Sequence, residues 1–183
     1  DCTSPAFLRK DGETTTLCIP TAFCSYTGEA LDKKTPLLRS MEAINREALR
    51  LLRLFGNQSS RSVKATVGAE QEYCLVDREK YLRRKDLVYT GRTLFGRMPA
   101  KGQELDDHYY GVIRKRIAAF MGDMDQELWA LGVPVKTEHN EVAPAQHEMA
   151  PMFEEANLAV DHNQLVMENL KKVASRHGLE CLL

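Results

Sequence analysis

The sequence lacks several features that mark large classes of proteins. No apolar run approaches the roughly 20 residues of a membrane span, and the first residues do not have the pattern of a secretory leader. Basic residues (25) nearly balance acidic ones (26), and the net charge of −1 is spread along the chain. The sequence therefore gives no indication of a membrane protein or of non-specific binding to nucleic acid.

Paired cysteines and two common catalytic motifs are also missing. The five cysteines are odd in number and form no Cys-x-x-Cys pair. We therefore expect them to be small apolar residues of a protein in a reducing, cytoplasmic compartment. There is no Gly-x-Ser-x-Gly motif, and the glycine-containing stretch 91–102 does not have the spacing of a phosphate-binding P-loop, so we expect it to be a loop.

What the chain does contain predicts a single α+β fold. With 183 residues and 43% hydrophobic residues it can bury one core. Residues 1–34 are expected to be an extended lead-in with turns, and the rest an antiparallel β-sheet with helices packed on one face. The predicted elements are a helix 36–55 capped by Thr35, a strand 63–77, a helix capped by Asp106 or Asp107 and ending before Gly132, strands 133–138 and 146–153, a helix 155–177, and a short buried strand at 179–183.

The predicted strand 63–77 carries two glutamates, Glu70 and Glu72. Residues two apart on a strand point to the same face, and the odd-numbered positions from Val63 to Leu75 are mostly apolar. We therefore expect one buried face and one face that shows both carboxylates. An exposed polar face would explain this pattern without any ligand. A divalent cation would relieve the repulsion between the two like charges.

A second acidic group strengthens the case for a metal site. His139 and Glu141 alternate in the same way, and Glu148 lies on the strand that returns after Pro144. Carboxylate oxygens suit Mg²⁺ or Mn²⁺ better than zinc. His139 is either a further polar contact or a histidine satisfied within the fold. We expect the aromatic pair Tyr109 and Tyr110 to belong to the core.

Four segments carry a resemblance to a known family. Residues 17–31, 91–96, 101–109 and the stretch His139-Asn-Glu-Val-Ala-Pro-Ala-Gln-His-Glu148 resemble the catalytic domain of glutamine synthetase, and most of all its long type III bacterial form. The resemblance covers nearly the whole chain. It implies that residues 1–183 are an incomplete catalytic domain, in which 1–60 form the lead-in and first helix and 61–183 form the metal-binding sheet and helices.

The resemblance also implies an activity and roles for particular residues. ATP phosphorylates the γ-carboxylate of glutamate, and ammonia then displaces phosphate to give glutamine. Two divalent ions, Mg²⁺ or Mn²⁺, serve the reaction. Glu70 would bind the ion next to the ATP phosphates, and His139 would line the site near the transferred phosphate. Glu72, Glu141 and Glu148 would hold the second ion, and Phe153 would lie near the nucleotide base or ribose.

Parts of the family pattern are not found in the chain. The family's Asn-Gly-Ser-Gly-x-His stretch would follow shortly after Leu183, and we expect the small N-terminal domain to be missing. Lys136 stands where some relatives have an acidic nucleotide contact. We therefore expect this chain alone to be inactive and to bind metal weakly. By resemblance, the complete protein would be a homo-oligomer, a dodecamer of two hexameric rings.

Two other functions remain compatible with the sequence. A relative that ligates glutamate to a larger amine or a polyamine would have the same metal-binding glutamates. A catalytically inactive homologue could instead serve as an assembly or regulatory module, although such a protein has no need to keep all four glutamates.

Overall fold

The computed structural model describes all residues from Asp1 to Leu183 and has eight strands and five α-helices. The chain divides into two compact units. The first, here the N-terminal unit, comprises residues 1–68 and 153–162, and the second, the sheet unit, comprises residues 69–152 and 163–183. No helix is both long enough and apolar enough to cross a membrane. The division of the chain at residue 60, made from the sequence, stays a prediction.

The N-terminal unit begins with a hairpin that the sequence did not indicate. Strands β1 (Phe7–Asp11) and β2 (Thr14–Cys18) pair antiparallel where an extended lead-in was expected. Helix α1 (Lys34–Leu54) follows, and the short strands β3 (Thr66–Val67) and β7 (Glu154–Glu155) pair with each other. The first residues of α5 (Ala156–Arg176) also belong to this unit.

The predicted cap of α1 was wrong. The helix begins at Lys34, and the hydroxyl of Thr35 donates to the carbonyl of Phe23 at 3.1 Å. The backbone N–H of Thr35 instead donates to Asp32 Oδ1 at 2.8 Å. This bond, followed by one from the Phe23 N–H, lowers the pKa of Asp32. An ionised carboxylate is a stronger acceptor than a hydroxyl, so Asp32 satisfies the N–H group at this end of the helix.

The sheet unit is built on four antiparallel strands in the order β5-β6-β4-β8. Their bounds are β4 (Gln71–Asp77), β5 (Val135–Asn140), β6 (Gln146–Pro151) and β8 (Leu179–Leu182). Two short helices, α2 (Arg78–Leu82) and α3 (Lys85–Thr90), follow β4, and α4 (Lys115–Ala130) precedes β5. The predicted α+β fold with an antiparallel sheet is therefore confirmed.

The core of the sheet unit lies on one face of this sheet. Side chains of the four strands pack there against α4 and the later part of α5. Every second residue of β4 contributes, because alternate strand residues share a face. The largest fully buried side chains of this core are Tyr73, Phe120, Met124, Leu128, Met149, Leu170, Val133, Val166 and Val173.

The predicted strand 63–77 is divided into two strands that belong to different units. Val67 ends β3, where it pairs with Glu154, and β4 begins only at Gln71. Val67 is 39% exposed, so its predicted burial was wrong. Residues 68–70 connect β3 to β4 in sequence and belong to neither strand. The strict alternation of buried and exposed positions therefore ends there.

The predicted start of α4 was also wrong. Leu105 and Asp106 have φ angles of 56° and 54°, in the left-handed region, which a right-handed helix cannot accommodate. Asp107 forms an ion pair with Lys101 at 2.7 Å instead of capping a helix. The helix begins only at Lys115, after Arg114, without any side-chain cap.

Candidate functional site

The register of the sheet places three candidate residues in one row. Glu72 on β4 lies directly opposite Glu148 on β6, and Glu148 lies opposite His139 on β5. Directly opposed residues of an antiparallel pair project to the same side of the sheet. Tyr73 and Met149, their neighbours in sequence, belong to the core. The row therefore lies on the face opposite the packed helices.

Glu141 and Glu70 stand at the two ends of the strands that carry this row. Glu141 follows β5, and ligand atoms of His139, Glu141 and Glu148 all lie within 4.8 Å of one another. Glu70 immediately precedes β4, and its charge acts on Glu148 strongly enough to raise the pKa of that carboxyl. The structure thus brings Glu70, Glu141, Glu148 and His139 into one neighbourhood, with Glu72 in the same row.

The electrostatics of Glu148 reflect an excess of negative charge. Its side chain is 10% exposed, and its pKa is raised first by burial and then by the charge of Glu70. His139 opposes this effect, since its Nε2 lies 3.1 Å from Glu148 Oε1. The hydrogen bond between His139 Nδ1 and the carbonyl of Asn140, at 2.9 Å, is the main reason that the pKa of His139 is raised. A cation would stabilise this cluster in its ionised form.

The donor set fits a hard divalent cation. All the acidic members offer carboxylate oxygens, which Mg²⁺ and Mn²⁺ prefer, and the set contains a single imidazole. Opposite ligands of an ion with bonds of about 2.1 Å lie about 4.2 Å apart. The ligand atoms of His139, Glu141 and Glu148 lie within 4.8 Å of one another, which is close to the spacing of ligands around one such ion.

Tyr109 is a site residue that the sequence did not reveal. Its ring packs edge-on against the imidazole of His139, with the ring centres 5.2 Å apart. Both members of the predicted core pair are exposed, Tyr109 at 39% and Tyr110 at 80%, so their assignment to the core was wrong. Tyr109 and His139 are far apart in sequence and belong to different elements, so no local pattern indicates their contact.

The opposite face of the same strands anchors the segment that carries Tyr109. The side chain of Asn140 donates to the carbonyl of Gly111 at 2.9 Å, and its Oδ1 lies 3.0 Å from His147 Nδ1. Burial lowers the pKa of His147, which favours its neutral form. A cavity of about 690 Å³ lies between residues 107–117 and the hairpin 141–146, and Glu141 lines it.

Phe153 belongs to the N-terminal unit, whereas the carboxylate cluster belongs to the sheet unit. Its ring is 66% exposed. The nucleotide contact expected of Phe153 stays a prediction, as do the individual roles expected of the four glutamates and His139.

An antiparallel sheet with helices on one face and an acidic, oxygen-rich row on the other defines an α+β domain with a candidate divalent-metal site. Comparisons with known proteins agree with this class. Residues 45–182 match the family model described as glutamine synthetase, catalytic domain, and residues 1–40 match the model described as glutamine synthetase type III N terminal. The chain belongs to the glutamine synthetase family.

Individual relatives support this assignment. The chain is 59% identical over 174 residues to a glutamine synthetase of Butyrivibrio fibrisolvens, a match that covers 95% of this chain and 24% of the relative. It is 53% identical over 182 residues to the type-3 glutamine synthetase of Dictyostelium discoideum, a match that covers 100% of this chain and 25% of the relative. The chain thus spans about a quarter of the length of these relatives.

A solved structure shares the fold. The Plasmodium falciparum glutamine synthetase, solved by electron cryomicroscopy, superposes with a TM-score of 0.64 at 16% identity, over 96% of this chain and 35% of that one. The match of residues 1–40 to the type III N-terminal model shows that part of the family's N-terminal region is present in this chain. The expected absence of the small N-terminal domain stays a prediction.

Proposed function

We propose that this chain forms part of an enzyme that ligates ammonia to glutamate at the expense of ATP, giving glutamine. The observation that carries the proposal is the row of Glu72, Glu148 and His139 on one sheet face, with Glu141 and Glu70 beside it. The family membership supports the same function. From the family membership we also propose that the complete protein assembles into a homo-oligomer, a dodecamer of two rings. From the unpaired cysteines we propose that it is cytoplasmic.

In this proposal the carboxylates divide between two Mg²⁺ or Mn²⁺ ions. Glu70 holds the ion next to the ATP phosphates, and Glu72, Glu141 and Glu148 hold the ion next to glutamate. When bound, such ions neutralise the charge that develops on the transferring phosphoryl oxygens and align donor with acceptor.

The chain's own residues position these groups. Glu148 is the most buried of the carboxylates, and its bond to His139 fixes its orientation. Tyr109 restricts the imidazole of His139 by packing against it, which keeps His139 beside the place where the phosphoryl group would be transferred. Phe153 is proposed to contact the nucleotide base or ribose.

The test uses the complete protein, because this chain is about a quarter of its relatives' length. Glu141→Ala is expected to reduce kcat for glutamine formation by at least about 10³-fold, since a lost metal ligand removes several kcal/mol of transition-state stabilisation. The matched control is Glu79→Ala, which removes an exposed glutamate on α2 and is expected to leave the rate unchanged.

The same assay separates the other functions. Replacing ammonia with ethylamine or putrescine tests for a ligase that uses larger amines, and product from these amines alone would contradict the proposal. A complete protein that forms no product with any of them would be an inactive homologue. A Glu141→Ala variant with the rate of the unaltered protein would also overturn the proposal.

A further inference from the structure

Gln146, the first residue of β6, contacts two parts of the site with its side chain. Its Nε2 donates to Glu72 Oε2 at 2.9 Å, and its Oε1 accepts a hydrogen bond from the backbone N–H of Ala143 at 3.3 Å. Gln146 lies opposite Cys74 in the sheet, so Glu72 is its diagonal neighbour on the same face. A long side chain can span this separation.

The two partners define which way the Gln146 amide points. A backbone N–H can only donate, so the amide atom that faces Ala143 must be the oxygen. The amide nitrogen then faces Glu72, and an ionised carboxylate can only accept. Rotation of the amide by 180° would break both bonds at once. The orientation of the Glu72 carboxylate is therefore tied to the turn at Ala143.

The main chain of Gln146 reaches a second member of the cluster. Its carbonyl accepts the N–H of Glu141 at 2.9 Å, and its own N–H donates to the carbonyl of Ala143 at 3.1 Å. The preceding residue, Ala145, has a φ of 59° in the left-handed region, and its carbonyl accepts the N–H of Leu75 at 3.0 Å. Gln146 thus links the backbone at Glu141 to the carboxylate of Glu72.

We propose that Gln146 is a positioning residue that holds Glu72 and Glu141 in the arrangement needed to bind one divalent cation. The inference rests on the proposed function, because it concerns the same carboxylates. Residues that form hydrogen bonds to metal ligands contribute to metal affinity without contacting the ion. Their loss weakens metal binding by about 10–100-fold.

Glutamine suits this position for an electrostatic reason. Its amide orients Glu72 through Oε2 alone and leaves Oε1 for an ion. A lysine or arginine would orient the carboxylate equally well, but its positive charge would compete with the cation. A neutral donor fixes the geometry and leaves the negative charge of the cluster intact.

The test measures the Kd of Mn²⁺ for the complete protein by following the electron paramagnetic resonance signal of free Mn²⁺. Gln146→Met keeps the length of the side chain and removes both hydrogen bonds, and it is expected to raise this Kd by about 10–100-fold. Gln71→Met is the matched control, because Gln71 also makes one side-chain bond, to Asn163 at 2.7 Å, from the opposite face of β4. Its Kd is expected to remain within twofold of the unaltered value.

A double-mutant cycle with Glu72→Gln tests whether Gln146 acts through Glu72. If it does, Gln146→Met adds little to the Kd once Glu72 is already replaced. Should Gln146→Met fail to fold, Gln146→Asn, which is too short to reach both partners, takes its place.

The outcomes separate this inference from the function on which it rests. If Glu72→Gln leaves the Kd of Mn²⁺ unchanged, the proposed metal site is wrong and both proposals fall. If Glu72→Gln raises the Kd but Gln146→Met does not, or if the two effects multiply, only the role of Gln146 is overturned.

Discussion

Adjacent residues of one strand have opposite environments. Glu148 joins the acidic row, whereas Met149 is fully buried in the core. On β5, His139 faces the same row, while burial and the nearby Asp125 raise the pKa of its neighbour Glu138 to about 9. Glu138 is therefore neutral at pH 7, although it stands next to a residue of the charged site. On β5, the position of Glu138 on the buried face of the sheet therefore determines its charge state.

Asp86 is a second residue whose environment controls its ionisation. Arg84 donates to its carboxylate with Nε at 3.0 Å and Nη2 at 2.6 Å, and the N–H of Leu94 adds a third bond at 3.2 Å. The Arg84 guanidinium holds the pKa of Asp86 well below its ordinary value of 3.8. Because this pKa is lowered, the ionised form stabilises the fold above about pH 4, and the stabilisation is lost as the pH falls towards the lowered value.

We expect Asp86→Asn to lower the Tm at pH 7, because the amide cannot form the paired ionic bonds with Arg84. The difference from the unaltered protein should shrink as the pH is lowered below about 4, because the unfolded chain then binds a proton at Asp86 that the folded chain takes up only at lower pH. Thermal unfolding followed by circular dichroism between pH 2.5 and 7, at roughly unit pH steps, measures this. Asp106→Asn, an exposed aspartate, is the control. A Tm difference that is the same at every pH would contradict the electrostatic explanation.

At the scale of elements, glycines end the helices. Gly56, Gly132 and Gly178 follow α1, α4 and α5 with φ angles of 87°, 83° and 64°. Glycine adopts this left-handed conformation without the steric cost that other residues incur. Gly178 has a second constraint, because Arg116 of α4 donates to the carbonyls of His177 and Gly178 beside it.

Gly178→Ala should therefore be more destabilising than Gly132→Ala. Both place an alanine in the left-handed region, which costs about 1 kcal/mol. A Cβ at Gly178 would also lie 2.9 Å from Arg116 Nη2 and displace that guanidinium from its carbonyls, whereas a Cβ at Gly132 meets nothing within 4 Å. The displacement is expected to add about 1 kcal/mol. Urea unfolding of both variants checks this order, and equal losses would show that Arg116 contributes nothing.

These glycines also show how much of the fold the sequence could reveal. The helix ends were predicted because glycine determines them locally. The starts of α1 and α4 were not predicted correctly. At α1, Asp32 accepts the backbone N–H bond in place of the expected cap. Before α4, residues in the left-handed conformation prevent the helix from beginning where it was expected. The alternation of Glu70 with Glu72, and of His139 with Glu141, predicted that each pair would share a strand face, but Glu70 precedes β4 and lies outside the paired strand. Tyr109 and Gln146 gave no such signal, because their contacts with the site join distant parts of the chain.

At the scale of the whole molecule, α1 has an apolar stripe with little cover. Ile44, Leu51 and Phe55 fall on one side of the helix, at 52%, 54% and 79% exposure, and Leu54 beside them is 80% exposed. The only buried residue of α1 is Thr35. Exposed apolar stripes of this kind promote association.

We expect this 183-residue chain to self-associate through α1. The double substitution Leu54→Lys with Phe55→Ser should lower the mean mass measured by light scattering at equal concentration, because it interrupts the stripe. Gln58→Lys, which adds the same charge at an exposed position just beyond the helix, serves as the control. If both variants scatter like the unaltered chain, association does not depend on this stripe.

The strict two-sidedness of β4 and β6 limits how the gene can change. Loss or gain of a single codon within either strand would shift the register by one residue. The buried methionine and tyrosine side chains would then be exposed, and the glutamates would face the helices. Point substitutions can accumulate here one position at a time, but length changes cannot. We therefore expect descendants of this gene to vary in length in the turns and loops and to keep these two segments at constant length.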